Sequence, residues 1–134
     1  MLARHFGAEV TGVSSGANMA LVQSLGAQHV IDYTKEDFAE RGETYDLIFD
    51  AVGKSSAARS KRALKPGGRY ISVATSTHEN TADLNFIREL AGAGAINAVI
   101  DRRYPLEAIV EAHKYVETGH KKGNVVITMA QAVV

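Results

Sequence analysis

Four short β-prone runs recur along this chain: Glu9 to Ser14, His29 to Tyr33, Tyr45 to Val52 and Arg69 to Ala74. Helical stretches separate them. Ala17 to Leu25 carries Met19, Leu21, Val22 and Leu25 at helical spacing and stops at Gly26, and Ser55 to Leu64 reads as a helix ended by the break Lys65-Pro66-Gly67-Gly68. Asp37 to Arg41 reads as a helical turn. A strand joined to the next through a helix runs parallel to it, so this alternation predicts βαβ units and an α/β fold with a mainly parallel sheet. The nearly continuous apolar run Tyr45 to Val52 is expected to be buried on both faces. Farther on, Leu84 to Leu90 reads as a helix, Ile96 to Ile100 as a short strand, Pro105 to Thr118 as an amphipathic helix, and Asn124 to Met129 as a last strand.

What precedes the first run narrows the fold further. A dinucleotide-binding unit takes about 30 residues for strand, glycine turn, helix and second strand. Only Met1 to Ala8 precedes Glu9, and Leu2 to Phe6 reads as the tail of a helix stopped at Gly7.

Composition excludes several partners. The chain has 134 residues with 15 basic and 15 acidic side chains, and its longest basic runs are pairs such as Arg102-Arg103 and Lys121-Lys122. Neither nucleic acid nor an anionic membrane is expected as a partner. With no cysteine, disulfides and thiolate-ligated zinc are excluded. No apolar run approaches the roughly 18 residues of a membrane span, and Met1-Leu2-Ala3-Arg4-His5 is not a signal peptide. The expected location is the cytoplasm. His113 and His120 lack a third ligand nearby, so no metal site is expected. No Tyr is followed four residues on by Lys, and no nucleophile elbow is present.

Four motifs occur in a telling order: Val10-Thr11-Gly12-Val13-Ser14-Ser15, Leu25-Gly26-Ala27-Gln28-His29-Val30-Ile31-Asp32-Tyr33, Tyr45-Asp46-Leu47-Ile48-Phe49-Asp50-Ala51-Val52-Gly53, and Leu64-Lys65-Pro66-Gly67-Gly68-Arg69-Tyr70-Ile71-Ser72-Val73. A fifth segment runs from Tyr104-Pro105-Leu106-Glu107 to Gly123-Asn124-Val125-Val126. Together they resemble the cofactor domain of the medium-chain dehydrogenase/reductases, in its quinone-oxidoreductase-like and zinc-type alcohol-dehydrogenase-like branch. The resemblance implies an incomplete Rossmann-type, doubly wound parallel sheet lacking its first strand and glycine-rich turn. It makes residues 1–134 a single partial dinucleotide-binding domain, with 96–134 similar to the family's C-terminal return segment.

In such sheets ligands sit beyond the carboxyl ends of the strands. The end of Glu9–Ser14 is the expected place of the adenosine ribose. Where NAD-specific sites hold an acid, this chain has Ser14, Ser15 and Asn18. These donors suit a 2′-phosphate, so the cofactor expected is NADP, with NAD possible and no zinc in this chain. The same residues equally suit capping of the next helix. The resemblance further places Tyr33 near adenosine, Val52 and Gly53 against a ribose, Ala74 and Thr75 at the nicotinamide, and Asn124 at the phosphates. Tyr33 as a half-buried strand residue, Gly53 as a turn glycine and Asn124 as a strand-edge residue are the plain alternatives.

The departures bear on activity. No substrate domain precedes the motifs, and Ala74 to Asp83 is too short for the extra strand relatives carry there. In a sheet of order 3-2-1-4-5-6 the first strand is central, so its absence exposes apolar edges on Glu9–Ser14 and Tyr45–Val52. The chain is then a fragment, borrows a strand from another chain, or closes its halves directly. A homo-oligomer is expected. The function implied is that of an NAD(P)H-dependent oxidoreductase cofactor-domain fragment, with hydride transfer to a C=C or C=O substrate in the complete family and no acid–base catalyst among these residues. The alternative is a truncated non-catalytic homologue that self-assembles or binds nucleotide weakly. A methyltransferase-like sheet is disfavoured because Ser14-Ser15 replaces the acid that class places at its second strand.

Overall fold

The computed structural model describes residues 1–53, 55, 57–74 and 79–129. Six strands, β1 (Thr11–Ser14), β2 (His29–Asp32), β3 (Tyr45–Asp50), β4 (Leu64–Ser72), β5 (Ile100–Pro105) and β6 (Asn124–Thr128), alternate with helices α1 (Leu2–His5), α2 (Met19–Ser24), α3 (Ala57–Ser60), α4 (Thr81–Gly92) and α5 (Ile109–Glu117). Single 3-10 turns at Gly16–Asn18, Lys61–Ala63 and Leu106–Ala108 lead into or out of these helices, and another at Phe38–Glu40 stands between β2 and β3. The chain divides into two compact units, Met1–Glu89 and Leu90–Val134.

Every strand pair is parallel: β1 with β2, β3 with β4, β5 with β6. Among the described residues no ladder joins β1 to β3, so direct closure of the two halves is not the arrangement adopted. This is the α/β, parallel but incomplete sheet expected from the sequence. The β1–β2 half is fixed by Ile31, 1% exposed, and Ala27 beneath α2. Gly12 lets β1 approach α2, since a Cβ there would collide with Val22. In the first unit Phe6 stacks on Phe86 of α4, centroids 5.8 Å apart.

Three expectations need correction. The run Tyr45 to Val52 is not buried on both faces: Leu47 and Phe49 are 53% and 58% exposed, because β3 has a strand on one side alone. The break at Lys65–Gly68 lies inside β4, where the register slips between Tyr45 and Leu47. Gly68 makes that bulge feasible, since a Cβ would sit 3.0 Å from the carbonyls of Lys65 and Tyr45. The strand placed at Ile96–Ile100 is β5, four residues of which follow Ile100 before Pro105. Polar Arg102 and Arg103 enter it because tertiary partners compensate for weak β-propensity. Arg102 stacks 3.7 Å over the Tyr115 ring, and Asp101 accepts from the Tyr115 hydroxyl (2.7 Å) and the Lys122 amide (2.6 Å).

Candidate functional site

The first unit holds a cleft of about 530 Å³ between its two half-sheets. Thr11 and Val13 of β1 form one wall, Tyr45, Leu47 and Phe49 of β3 the other, and Tyr33, Asp37, Ala51, Val52 and Arg59 line it beyond the strands. Tyr33 in this lining follows the carboxyl end of β2, and Ala51 and Val52 follow that of β3, the side on which open α/β sheets take ligands. The Tyr45 hydroxyl donates to Glu43 at 2.9 Å and meets the Thr11 side chain. Burial, then the Glu43 carboxylate, push this phenol above its usual value.

At the end of β1, Ser14 Oγ donates to the Ser15 carbonyl at 3.2 Å. Ser15 and Asn18 stand at N-cap positions, yet neither side chain makes a capping hydrogen bond. Asn18 Oδ1 is buried without a partner. A buried amide oxygen ordinarily has a donor, so this atom fits a ligand hydroxyl or amine better than it fits a cap.

Asp32 organises the same region. Its buried carboxylate accepts from Thr34 Oγ1 (2.7 Å) and the Thr34 amide (3.0 Å), with Lys35 Nζ at 3.7 Å. Thr34 first, with Lys35 and the Gly16 amide adding to it, hold the Asp32 carboxyl below the usual range against the cost of burial. The turn after β1 presses so closely on it that a Cβ at Gly16 would lie 2.8 Å from Asp32 Oδ2. The sequence reading gave Asp32 no role of its own. Its signal was Asp two residues before Thr, the spacing of a side-chain-capped turn. Lys35 is likewise a cation that the run Ser14 to Asn18 lacks and that folding brings beside it.

The turn after β3 is held by Asp50. Its Oδ1 accepts from the amides of Val52 (3.1 Å) and Gly53 (2.8 Å), and its Oδ2 from the Ser55 amide (2.8 Å) and the Tyr70 hydroxyl (3.1 Å). Burial opposes ionisation, but these donors outweigh it and keep the carboxyl below its usual range. Gly53 takes φ +73°, the left-handed conformation a side chain resists. Across the cleft mouth, Arg59 clasps Asp37 through Nη2 (2.6 Å) and Nε (2.9 Å). Sequence reading missed Arg59 because it stood among unremarkable helix residues.

Of the predicted site residues, Tyr33 and Val52 line the cleft and Gly53 shares the Val52 turn. Ser14, Ser15 and Asn18 cluster at the end of β1 rather than on the cleft wall. The Ala74 amide donates to Ser72 Oγ at 3.2 Å, and Thr75 lies outside the described residues. Asn124 belongs to the second unit, where Nδ2 donates to the Val99 carbonyl at 3.2 Å, the bonding of a strand-edge residue.

Among the described residues no group of three His, Asp or Glu stands close enough to hold a metal ion, and the chain has no cysteine. These residues do not fit zinc. No helix among them is long and apolar enough to cross a membrane.

Comparison with known proteins agrees with this architecture. Two family models, both described as zinc-binding dehydrogenase, match residues 1–100 and 74–127. The 2-methylene-furan-3-one reductase of Solanum lycopersicum is 36% identical, over 94% of this chain and 35% of the relative. The chloroplastic NADPH-dependent alkenal/one oxidoreductase of Arabidopsis thaliana is 33% identical, over 94% of this chain and 36% of the relative. Mouse mitochondrial NAD(P)H oxidoreductase RTN4IP1 is 30% identical, over 92% and 42%. The solved quinone oxidoreductase of Coxiella burnetii superposes with a TM-score of 0.77 at 26% identity, over 94% of this chain and 46% of that one. The chain thus spans a third to under half the length of these relatives. With a family model covering three-quarters of its length in the order the strands require, the chain belongs to the zinc-binding dehydrogenase family.

Proposed function

We propose that this chain is the nucleotide-contacting part of an NADPH-dependent oxidoreductase acting on an electron-poor C=C or C=O. The observation that carries the proposal is the cleft lined by Tyr33 and Val52 beyond the carboxyl ends of β2 and β3, and the orphaned acceptor of Asn18 in the turn after β1 adds to it. The names of the tomato and Arabidopsis relatives, a reductase and an NADPH-dependent oxidoreductase, support it. A nicotinamide coenzyme supplies the hydride when bound. The chain's part is binding and orientation. Ser14, Ser15 and Asn18 hydrogen-bond the adenosine ribose and its 2′ substituent, with Lys35 close by. The Tyr33 ring packs against the adenosine. Val52 and Gly53 offer backbone to the second ribose, and Ala74 and Thr75 face the nicotinamide. Asn124 is proposed at the phosphates. No residue here is assigned a proton-transfer step.

A second reading, a non-catalytic homologue that self-assembles, is favoured by the exposed apolar edges at Val13, Leu47 and Phe49. Homo-oligomers are proposed under both readings, and a strictly monomeric species in sedimentation at high concentration refutes that. Calorimetric titration with NADPH and NADH separates the two functions. Uptake of NADPH, tighter than NADH, is the expected result. No uptake of either at millimolar concentration refutes the oxidoreductase reading.

A further inference from the structure

We infer that Asp50 is a positioning residue for the dinucleotide: its carboxylate fills the backbone nest after β3 and so shapes the wall that meets the second ribose. The inference rests on the nucleotide reading above. Three amides, of Val52, Gly53 and Ser55, converge on this one group, together with the Tyr70 hydroxyl, whose single proton it shares with the Ser55 carbonyl. The Tyr70 hydroxyl also lies 2.9 Å from the Ser55 carbonyl, so it ties the far end of the loop to the same anchor. The Asp50 carbonyl accepts from the Val73 amide at 3.1 Å and holds the anchor to β4.

Neighbouring amides turned to one point, with a glycine at positive φ, make an anion-binding concavity. In many nucleotide sites such a concavity takes a phosphate. Here the chain's own carboxylate takes the Val52, Gly53 and Ser55 amides, so these three are not left to draw a phosphate out of register. Turning the amides inward directs Val52 outward; that side chain is 71% exposed and lines the cleft beside Ala51 and Ser55. Among the described residues, the loop thus presents apolar Ala51 and Val52 to the cleft, a character suited to a sugar face.

The test compares wild type with Asp50→Asn and Tyr70→Phe in the full chain. Calorimetry is run against NADPH and against 2′,5′-ADP, which carries the adenosine half alone, and amide exchange is followed at Val52, Gly53 and Ser55. Asp50→Asn replaces one acceptor oxygen with a donor, so exchange accelerates at the amides that face it. NADPH affinity is expected to fall roughly tenfold, the scale of a lost charge-assisted bond, while affinity for 2′,5′-ADP changes less than about twofold, within the scatter for sites sharing no partner. Tyr70→Phe leaves the carboxylate in place and is expected to show the same split at roughly a third of the size. Equal weakening of both ligands means general stability alone and overturns the inference, as does unchanged NADPH affinity. If Asp50→Asn does not fold, Tyr70→Phe decides by the same criteria. Wild type that binds neither ligand overturns the nucleotide reading itself and the ligand part of this inference, while the exchange pattern still decides whether Asp50 holds the loop.

Discussion

Shortening Ile31 tests the packing that carries β2 into the site. Ile31 is 1% exposed and is the largest of the fully buried side chains among the described residues. It stands opposite Val13 in the β1–β2 ladder and directly before Asp32. Ile31→Val removes one methylene, which costs about 1 kcal/mol in a buried site. Ile31→Ala removes more and leaves a cavity, for about 3 kcal/mol. A small domain holds only about 5–15 kcal/mol in all, and for a unit the size of Met1–Glu89 each kcal/mol moves the melting point by about 4–8 °C. Far-UV circular dichroism melts should therefore show a drop of about 4–8 °C for Ile31→Val and about 12–24 °C for Ile31→Ala. Amide exchange should place the loss at residues 11–33. Val110→Ala, at a side chain 62% exposed, is the control and should stay within about 0.5 kcal/mol. An Ile31→Ala melt within about 3 °C of wild type would show that this half-sheet has no packed core, and the reasoning would fail.

Three further outcomes are expected. Gly16→Ala sets a methyl 2.8 Å from Asp32 Oδ2, so the turn after β1 must shift; NADPH affinity should fall with it, and calorimetry reads the change. Asn18→Ala removes a buried oxygen that has no partner, an atom whose burial costs about 1–3 kcal/mol, so the ligand-free melting point should hold or rise while dinucleotide affinity falls. The Asp101 carboxyl is held below its usual value by the Lys122 amide and then by Tyr115, opposed by burial. A depressed folded-state value means its stabilisation is present above the unfolded carboxyl value, about 3.9. That contribution is lost as pH falls through the lower folded value. The melting-point gap between wild type and Asp101→Asn should therefore be full at neutral pH and close below it, and a gap that widens on acidification would contradict this sign.

Local chemistry made part of the site legible before folding. Tyr33 and Val52 line the cleft because strand ends are marked by their flanking turns, and the strand-end rule then places them. The glycines at 7 and 26 close helices with positive φ, as their positions foretold. What stayed hidden was pairing between distant segments. Asp32 against Gly16 joins the ends of two strands, and Arg59 on Asp37 joins a helix to a turn 22 residues away. Neither pair leaves a periodic trace in sequence.

The amino-acid order alone determined that strands and helices alternate, that neighbouring strands run parallel, and which short segments end at the ligand side. Those properties are local or follow from connection length, so pattern suffices to read them. Tertiary structure decided that β1 and β3 stay apart, that a bulge rather than a break follows Leu64, and that β5 starts at Ile100. Each depends on backbone groups far apart in sequence finding partners, and no single segment encodes that on its own.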